Sequence, residues 1–204
     1  MAATDIGRVV GGSWPAQPTI GQDGIRTLGI MSTWPQGRSL HGGVDEIPLP
    51  PAAGGRLWLS GKHFIGPDPE AALRRIGATA IVCLTEPAEL IDRYPAYVDW
   101  LRANQPARAL WWPVPDLHVP DLDDAIDLLQ DLRSRLASDQ TLLVHCGAGI
   151  GRAGTIAAAL LITFGFSQAA AVAHVAAHRP MAGPEAGAQT DLLHALSSRD
   201  SGRW

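Results

Sequence analysis

A chain of 204 residues with 46% hydrophobic and 18% charged content holds apolar material for one globular domain plus a tail, and is too apolar for a disordered chain. Its net charge of −4, with acidic groups spread among arginines, excludes nucleic acid and anionic membrane as the expected partners. Two cysteines, Cys83 and Cys146, cannot make a disulfide framework, and Met1-Ala2-Ala3-Thr4-Asp5 lacks the basic start and apolar run of a signal peptide, so a cytoplasmic protein is expected.

Residues 1–43 are rich in Gly, Pro, Ser and Thr, with Trp14 and Trp34 dispersed among them, and read as a tail or an irregular wrap. A first strand is expected from Glu46 to Leu49, ended by Pro50-Pro51, and a second from Arg56 to Ser60 by the alternation of Leu57 and Leu59. Pro67 to Ile76 reads as a helix stopped by Gly77, and Ala78 to Leu84 as a strand covered on both faces. Short helices are expected at Pro87–Arg93 and Tyr94–Ala103, then a strand at Arg108–Val114 and the proline-framed loop up to Pro120. Asp121 is placed to cap a helix whose Leu122, Ala125, Ile126, Leu129, Leu132 and Leu136 form one apolar stripe. A strand at 141–145 and helices near 153–164, 167–178 and 184–198 complete the chain. This order predicts an α/β fold, a central mostly parallel sheet flanked by helices with a helical C-terminal half. The domain is assigned to residues 44–204.

The chemistry concentrates in Val144-His145-Cys146-Gly147-Ala148-Gly149-Ile150-Gly151-Arg152. An apolar strand feeds a cysteine, then five residues nearly free of side chains, then one arginine opening an alanine-rich helix. Such a loop lets backbone N–H groups cradle an oxyanion, with a helix N-terminus aimed at it. Amide dipoles and a guanidinium also stabilise a cysteine thiolate. Arg152 can hold two oxygens of a phosphoryl group while the sulfur attacks phosphorus. Gly149-Ile150-Gly151-Arg152-Ala153-Gly154 also fits the glycine pattern of dinucleotide folds, but no second strand with an acidic end follows. A phosphate loop of the Gly-Lys-Ser/Thr type is excluded, since the only lysine is Lys62. Histidines His41, His63, His118, His174, His178 and His194 show no metal-ligand spacing, and no metal or cofactor is expected.

His-Cys, five residues and Arg resembles the signature of cysteine-dependent protein tyrosine and dual-specificity phosphatases, and the pieces most resemble the compact kinase-associated (cyclin-dependent kinase inhibitor 3-like) group. That resemblance implies a dual-specificity-phosphatase-like fold and a phosphocysteine intermediate on Cys146. It implies phosphate binding by Gly147, Ala148, Gly149, Ile150, Gly151 and Arg152, and an orienting role for His145. Trp112-Pro113-Val114-Pro115-Asp116 is similar to the family's general-acid loop and lies 30 residues ahead of Cys146. A carboxylic acid there can protonate a leaving oxygen, which departs poorly as an alkoxide. Arg179-Pro180 followed by Gln189 resembles the loop whose glutamine positions the attacking water. Cys83 matches strand cysteines that bond the nucleophile under oxidation in some relatives, or is a small core residue. One departure stands out: Ala153 occupies the position where the family carries Ser or Thr.

The resemblance implies hydrolysis of phosphate monoesters, phosphotyrosine with phosphoserine or phosphothreonine, on a phosphorylated protein or a small phosphate ester. The alternatives are a catalytically slow phosphate-binding module, suggested by Ala153, and a phosphatase of phosphoinositides, which the absence of loop lysines disfavours.

Overall fold

The computed structural model describes residues 43–199. The tail proposed for residues 1–43, with Trp14 and Trp34, falls outside these apart from Gly43. Five strands form one sheet in the order β1-β2-β5-β3-β4. These are β1 (Val44–Ile47), β2 (Arg56–Gly61), β3 (Ala80–Cys83), β4 (Ala109–Trp111) and β5 (Thr141–Cys146). Only β1 runs antiparallel to its neighbour β2; β2 with β5, β5 with β3 and β3 with β4 are parallel. The mostly parallel α/β sheet expected from the alternation of elements is the one observed.

The helices are α1 (Lys62–Ile65), α2 (Pro69–Ile76), α3 (Pro95–Asn104), α4 (Leu122–Ala137), α5 (Gly151–Thr163), α6 (Gln168–His178) and α7 (Gly187–Ser197). Local signals set several boundaries. The Asp68 side chain accepts the Ala71 N–H at 2.9 Å to start α2, and Gly77 stops it at φ 66°. Ser167 caps α6 through the Ala170 N–H. Asp121 precedes α4, but its side chain makes no capping hydrogen bond; its carbonyl accepts the Ala125 N–H instead. The apolar stripe of α4 is also shifted: Leu128 is buried where Leu122 is exposed. The expected helix at Pro87–Arg93 is a single tight turn, Pro87–Glu89. Helix α1 is short and lacks the period that would have announced it.

Side chains alternate along the strands, so the sheet divides the core into two layers. Leu57, Leu59, Val82, Leu84, Leu142, Val144 and Cys146 pack with α4, α5, α6 and α7. Ile81, Cys83, Ala109 and Leu143 pack with α2 and α3 through Ala72, Leu73, Ile76, Tyr97, Val98 and Leu101. Helix α5 is buried at all thirteen positions, which its alanines permit by letting neighbours approach closely. The central strand β5 ends at Cys146, and α5 starts five residues later. A site at that point lies where parallel sheets present ligand-binding loops, at the carboxyl ends of their strands. Among the described residues no helix is long and apolar enough to cross a membrane.

Candidate active site

The loop joining β5 to α5 is held by its outward carbonyls. The Gly147 carbonyl accepts from the Lys62 N–H at 3.0 Å, and the Ile150 carbonyl from the Gly154 N–H at 2.8 Å. Arg179, at the end of α6, takes the two between them: its Nη2 donates to Ala148 at 2.8 Å and its Nε to Gly149 at 2.5 Å. With these carbonyls engaged, the Gly149 N–H donates to Cys146 Sγ at 3.2 Å. Gly149 takes φ 75°, and a side chain there would run into the backbone of Ser60, so the turn requires glycine. Arg179 is fully buried, anchored also by Asp45 at 2.5 Å, and burial lowers its pKa to about 10.

Arg152 lies in the first turn of α5 and is buried. Its Nη1 and Nη2 donate to the two carboxylate oxygens of Glu89 at 2.5 and 2.9 Å. Nη1 also reaches the Val114 carbonyl at 2.8 Å, and Nη2 lies 3.2 Å from Asp116 Oδ1. Burial opposes ionisation of Glu89, but the bonds from Arg152 outweigh it and hold its carboxyl below the usual range. The Arg152 Nε–H is buried with no hydrogen-bond partner. An orphaned guanidinium donor, beside a loop whose Gly149 N–H points at Cys146, is hydrogen-bonding capacity that an anion can take up.

Asp116 stands on the loop after β4, its side chain 73% exposed. Leu117 follows it at φ 63°, a left-handed conformation that costs a branched residue about 1–2 kcal/mol. Such strain gathers in loops that serve a site. Gln189 is fully buried in the first turn of α7, and both ends of its amide are engaged. Oε1 accepts the Glu185 N–H at 2.7 Å, and Nε2 donates to the His118 carbonyl at 3.3 Å. It therefore ties the Asp116 loop to the segment before α7, rather than standing with a free amide.

His145 is fully buried, and desolvation lowers its pKa to about 4. The Cys146 carbonyl, 3.4 Å from Nδ1, can only accept, which places the ring proton of the neutral imidazole on Nδ1 and leaves Nε2 to accept from the Tyr97 hydroxyl at 2.6 Å. Cys83 is paired in register with His145, not with Cys146. Cys83 packs in the layer of Tyr97 and Cys146 in the opposite one, so a bond between the two sulfurs requires the backbone to rearrange. The Cys83 sulfur meets the Thr85 hydroxyl at 3.1 Å, and burial pushes the Cys83 pKa up to about 12. Ala153 is fully buried in α5, and the Thr155 hydroxyl two residues on is buried without a partner.

The structure thus gathers Cys146, the loop Gly147–Gly151, Arg152 and Asp116 at one end of the sheet, with Gln189 at their edge and Cys83 on the far side. Sequence reasoning missed Glu89 and Tyr97, and named Arg179 only as part of the Arg179-Pro180 segment, without its hold on the loop carbonyls. Glu89 left a signal in the sequence as one of two acids, with Glu86, in the loop after a buried strand. Among the described residues no group of three or more His, Cys, Asp or Glu is arranged to hold a metal ion.

Known proteins resemble this chain in sequence and in fold. Over 50 residues the chain is 34% identical to cyclin-dependent kinase inhibitor 3 of Rattus norvegicus, a match that spans only 24% of each chain. It superposes on the crystal structure of Tk-PTP in its active form with a TM-score of 0.56 and 25% identity, covering 72% of this chain and 95% of that one. With kinase associated phosphatase carrying serine for its catalytic-site cysteine, the TM-score is 0.63 at 20% identity, over 78% and 97% of the two chains, a likeness of fold. A family model, PTP-SAK, described as the Swiss Army Knife protein, DSP-PTPase phosphatase domain, matches residues 67–201. The chain belongs to that family of dual-specificity-type phosphatase domains.

Proposed function

We propose that this domain, residues 44–204, hydrolyses phosphate monoesters through a phosphocysteine on Cys146. The observation that carries the reading is the pairing of a donor to sulfur with an unused donor for phosphate: the Gly149 N–H meets Cys146 Sγ at 3.2 Å while the buried Arg152 Nε–H has no partner. In this reading the Cys146 thiolate attacks phosphorus, and the loop amides with Arg152 hold the three outer oxygens as charge shifts among them. Asp116 protonates the leaving oxygen. His145 and Tyr97 act behind the loop by fixing the Cys146 backbone. Lysine is absent from Gly147–Gly151, and Asp116 lines the mouth. Both features favour phosphotyrosine, phosphoserine or phosphothreonine esters over phosphoinositides, whose extra phosphates add negative charge. Cytoplasmic phosphoproteins or small phosphate esters are the proposed substrates, with neither metal nor cofactor in the reaction.

Ala153 supports a second reading, a slow phosphate-binding module, because the position lacks the hydroxyl found in the family. The test is hydrolysis of an aryl phosphate by the Cys146→Ser variant. Serine does not ionise at neutral pH, so turnover falls to background while inorganic phosphate still binds through the amides and Arg152. Retained turnover in the variant refutes the first reading.

A further inference from the structure

Glu185 is a carboxyl near the loop that neither the sequence pattern nor the proposed cycle accounts for. It lies in the segment before α7, yet its carboxyl reaches the start of α5, where it packs against the Gly151 backbone. The two are so close that a methyl on Gly151 would collide with Glu185 Oε2. Ile150, at the N-cap position of α5, offers no side-chain cap, so Glu185 supplies the anion at that helix end. The backbone of Glu185 is fixed by Gln189 Oε1 at 2.7 Å, and the same glutamine grips the Asp116 loop through the His118 carbonyl. One buried amide therefore sets the positions of two carboxyl-bearing segments. The charged groups that act on Glu185 are Asp116 and Arg152.

We propose that Glu185 is the general base for hydrolysis of the phosphocysteine, a catalytic residue working after Asp116 has served as the acid. This rests on the reading of Cys146 as the nucleophile. In the step, a water held by the Glu185 carboxylate attacks phosphorus as its proton passes to that carboxylate. The O–P bond forms, the P–S bond breaks, and the electron pair leaves on sulfur as the Cys146 thiolate. Inorganic phosphate departs, and Glu185 returns its proton to solvent. Gln189, expected from the sequence to hold the water, is a positioning residue that holds Glu185 instead. The site also suits the division of labour. Burial and the nearby Asp116 charge raise the pKa of Glu185, which strengthens it as a proton acceptor, whereas Asp116 is exposed and paired with Arg152. With Ala153 offering no hydroxyl to the departing sulfur, this step is the one that most needs help.

The test is rapid mixing of Glu185→Gln with an aryl phosphate. Glutamine keeps the size of the side chain against the Gly151 backbone but cannot take a proton. The expected result is a burst of phenol with an unchanged rate constant, followed by a steady rate lower by roughly 10²–10³-fold, with Glu185→Asp recovering part of it. Asp116→Asn should instead slow the burst. A steady rate within twofold of wild type, or a burst that slows together with the steady phase, overturns the role of Glu185. A purely capping role predicts one of those two outcomes. Turnover by Cys146→Ser would fail the underlying reading separately, since no burst assigned to Cys146 could then be interpreted.

Discussion

Glu89 grips Arg152 through both carboxylate oxygens, at 2.5 and 2.9 Å, and so fixes the plane of the guanidinium at the mouth of the loop. The pairing spends Nη1 and part of Nη2 on the protein and keeps Nε for a ligand. Lys62 Nζ steadies the arrangement from the other side by donating to the Glu89 carbonyl at 2.9 Å.

Glu89→Gln should therefore lower kcat/KM for an aryl phosphate by roughly 10–100-fold, because a guanidinium displaced by about 1 Å no longer matches the transferring phosphoryl group. The loss should be greater in kcat than in KM, since the planar fork matters most when charge has built up on the equatorial oxygens. Steady-state kinetics beside a thermal melt check this; an unchanged kcat would leave the clasp a purely structural feature.

Loop, strand and helix patterns were legible in the sequence because each is written in neighbouring residues: Val144 to Arg152 spells the anion loop, and Asp68 with Gly77 brackets α2. Glu89 and Arg152 are 63 positions apart, and Asp45 and Arg179 are 134 apart. Such pairs are made by the topology that sets β1, β3 and α6 around the end of β5, and no local period encodes them. The role first given to Gln189 illustrates the same point. The sequence marks Gln189 by its resemblance to a water-positioning glutamine, and only the fold brings the His118 carbonyl and the Glu185 N–H to the two ends of its amide. Cys83 shows the converse, since a one-residue offset along a strand reverses the face, and it is Leu84 that shares the layer of Cys146.

Ala153 carries a kinetic prediction. If hydrolysis of the phosphocysteine limits turnover, wild-type protein mixed with an aryl phosphate should release close to one equivalent of phenol per Cys146 before a slower steady phase. Ala153→Ser adds only an oxygen at a fully buried position and should raise the steady rate by roughly tenfold, as expected of a hydrogen bond of about 1.5–3 kcal/mol to a charged sulfur. Absence of a burst in wild type, together with no gain in Ala153→Ser, would show that the missing hydroxyl is silent.

His145 makes stability depend on pH. Its folded pKa of about 4 lies below the ordinary imidazole value of 6.5, so the unfolded chain takes up a proton first as pH falls. The contribution is full above 6.5, is lost as pH drops toward 4 and levels off below that, with a limiting slope of about 1.4 kcal/mol per pH unit. Urea unfolding across that range should show this slope in wild type and lack it in His145→Gln, which still accepts from Tyr97. Equal slopes in both proteins would place the titration elsewhere.

The central claim is that phosphate passes through Cys146, and trapping the intermediate tests it most directly. Wild-type protein mixed with an aryl phosphate, quenched within its first turnover and digested, should yield by mass spectrometry a phosphorylated peptide with the modification on Cys146. Cys146→Ser treated the same way should yield none. Phenol release by wild type with no phosphate on Cys146 at any quench time, or phosphate recovered on another residue, would contradict the account.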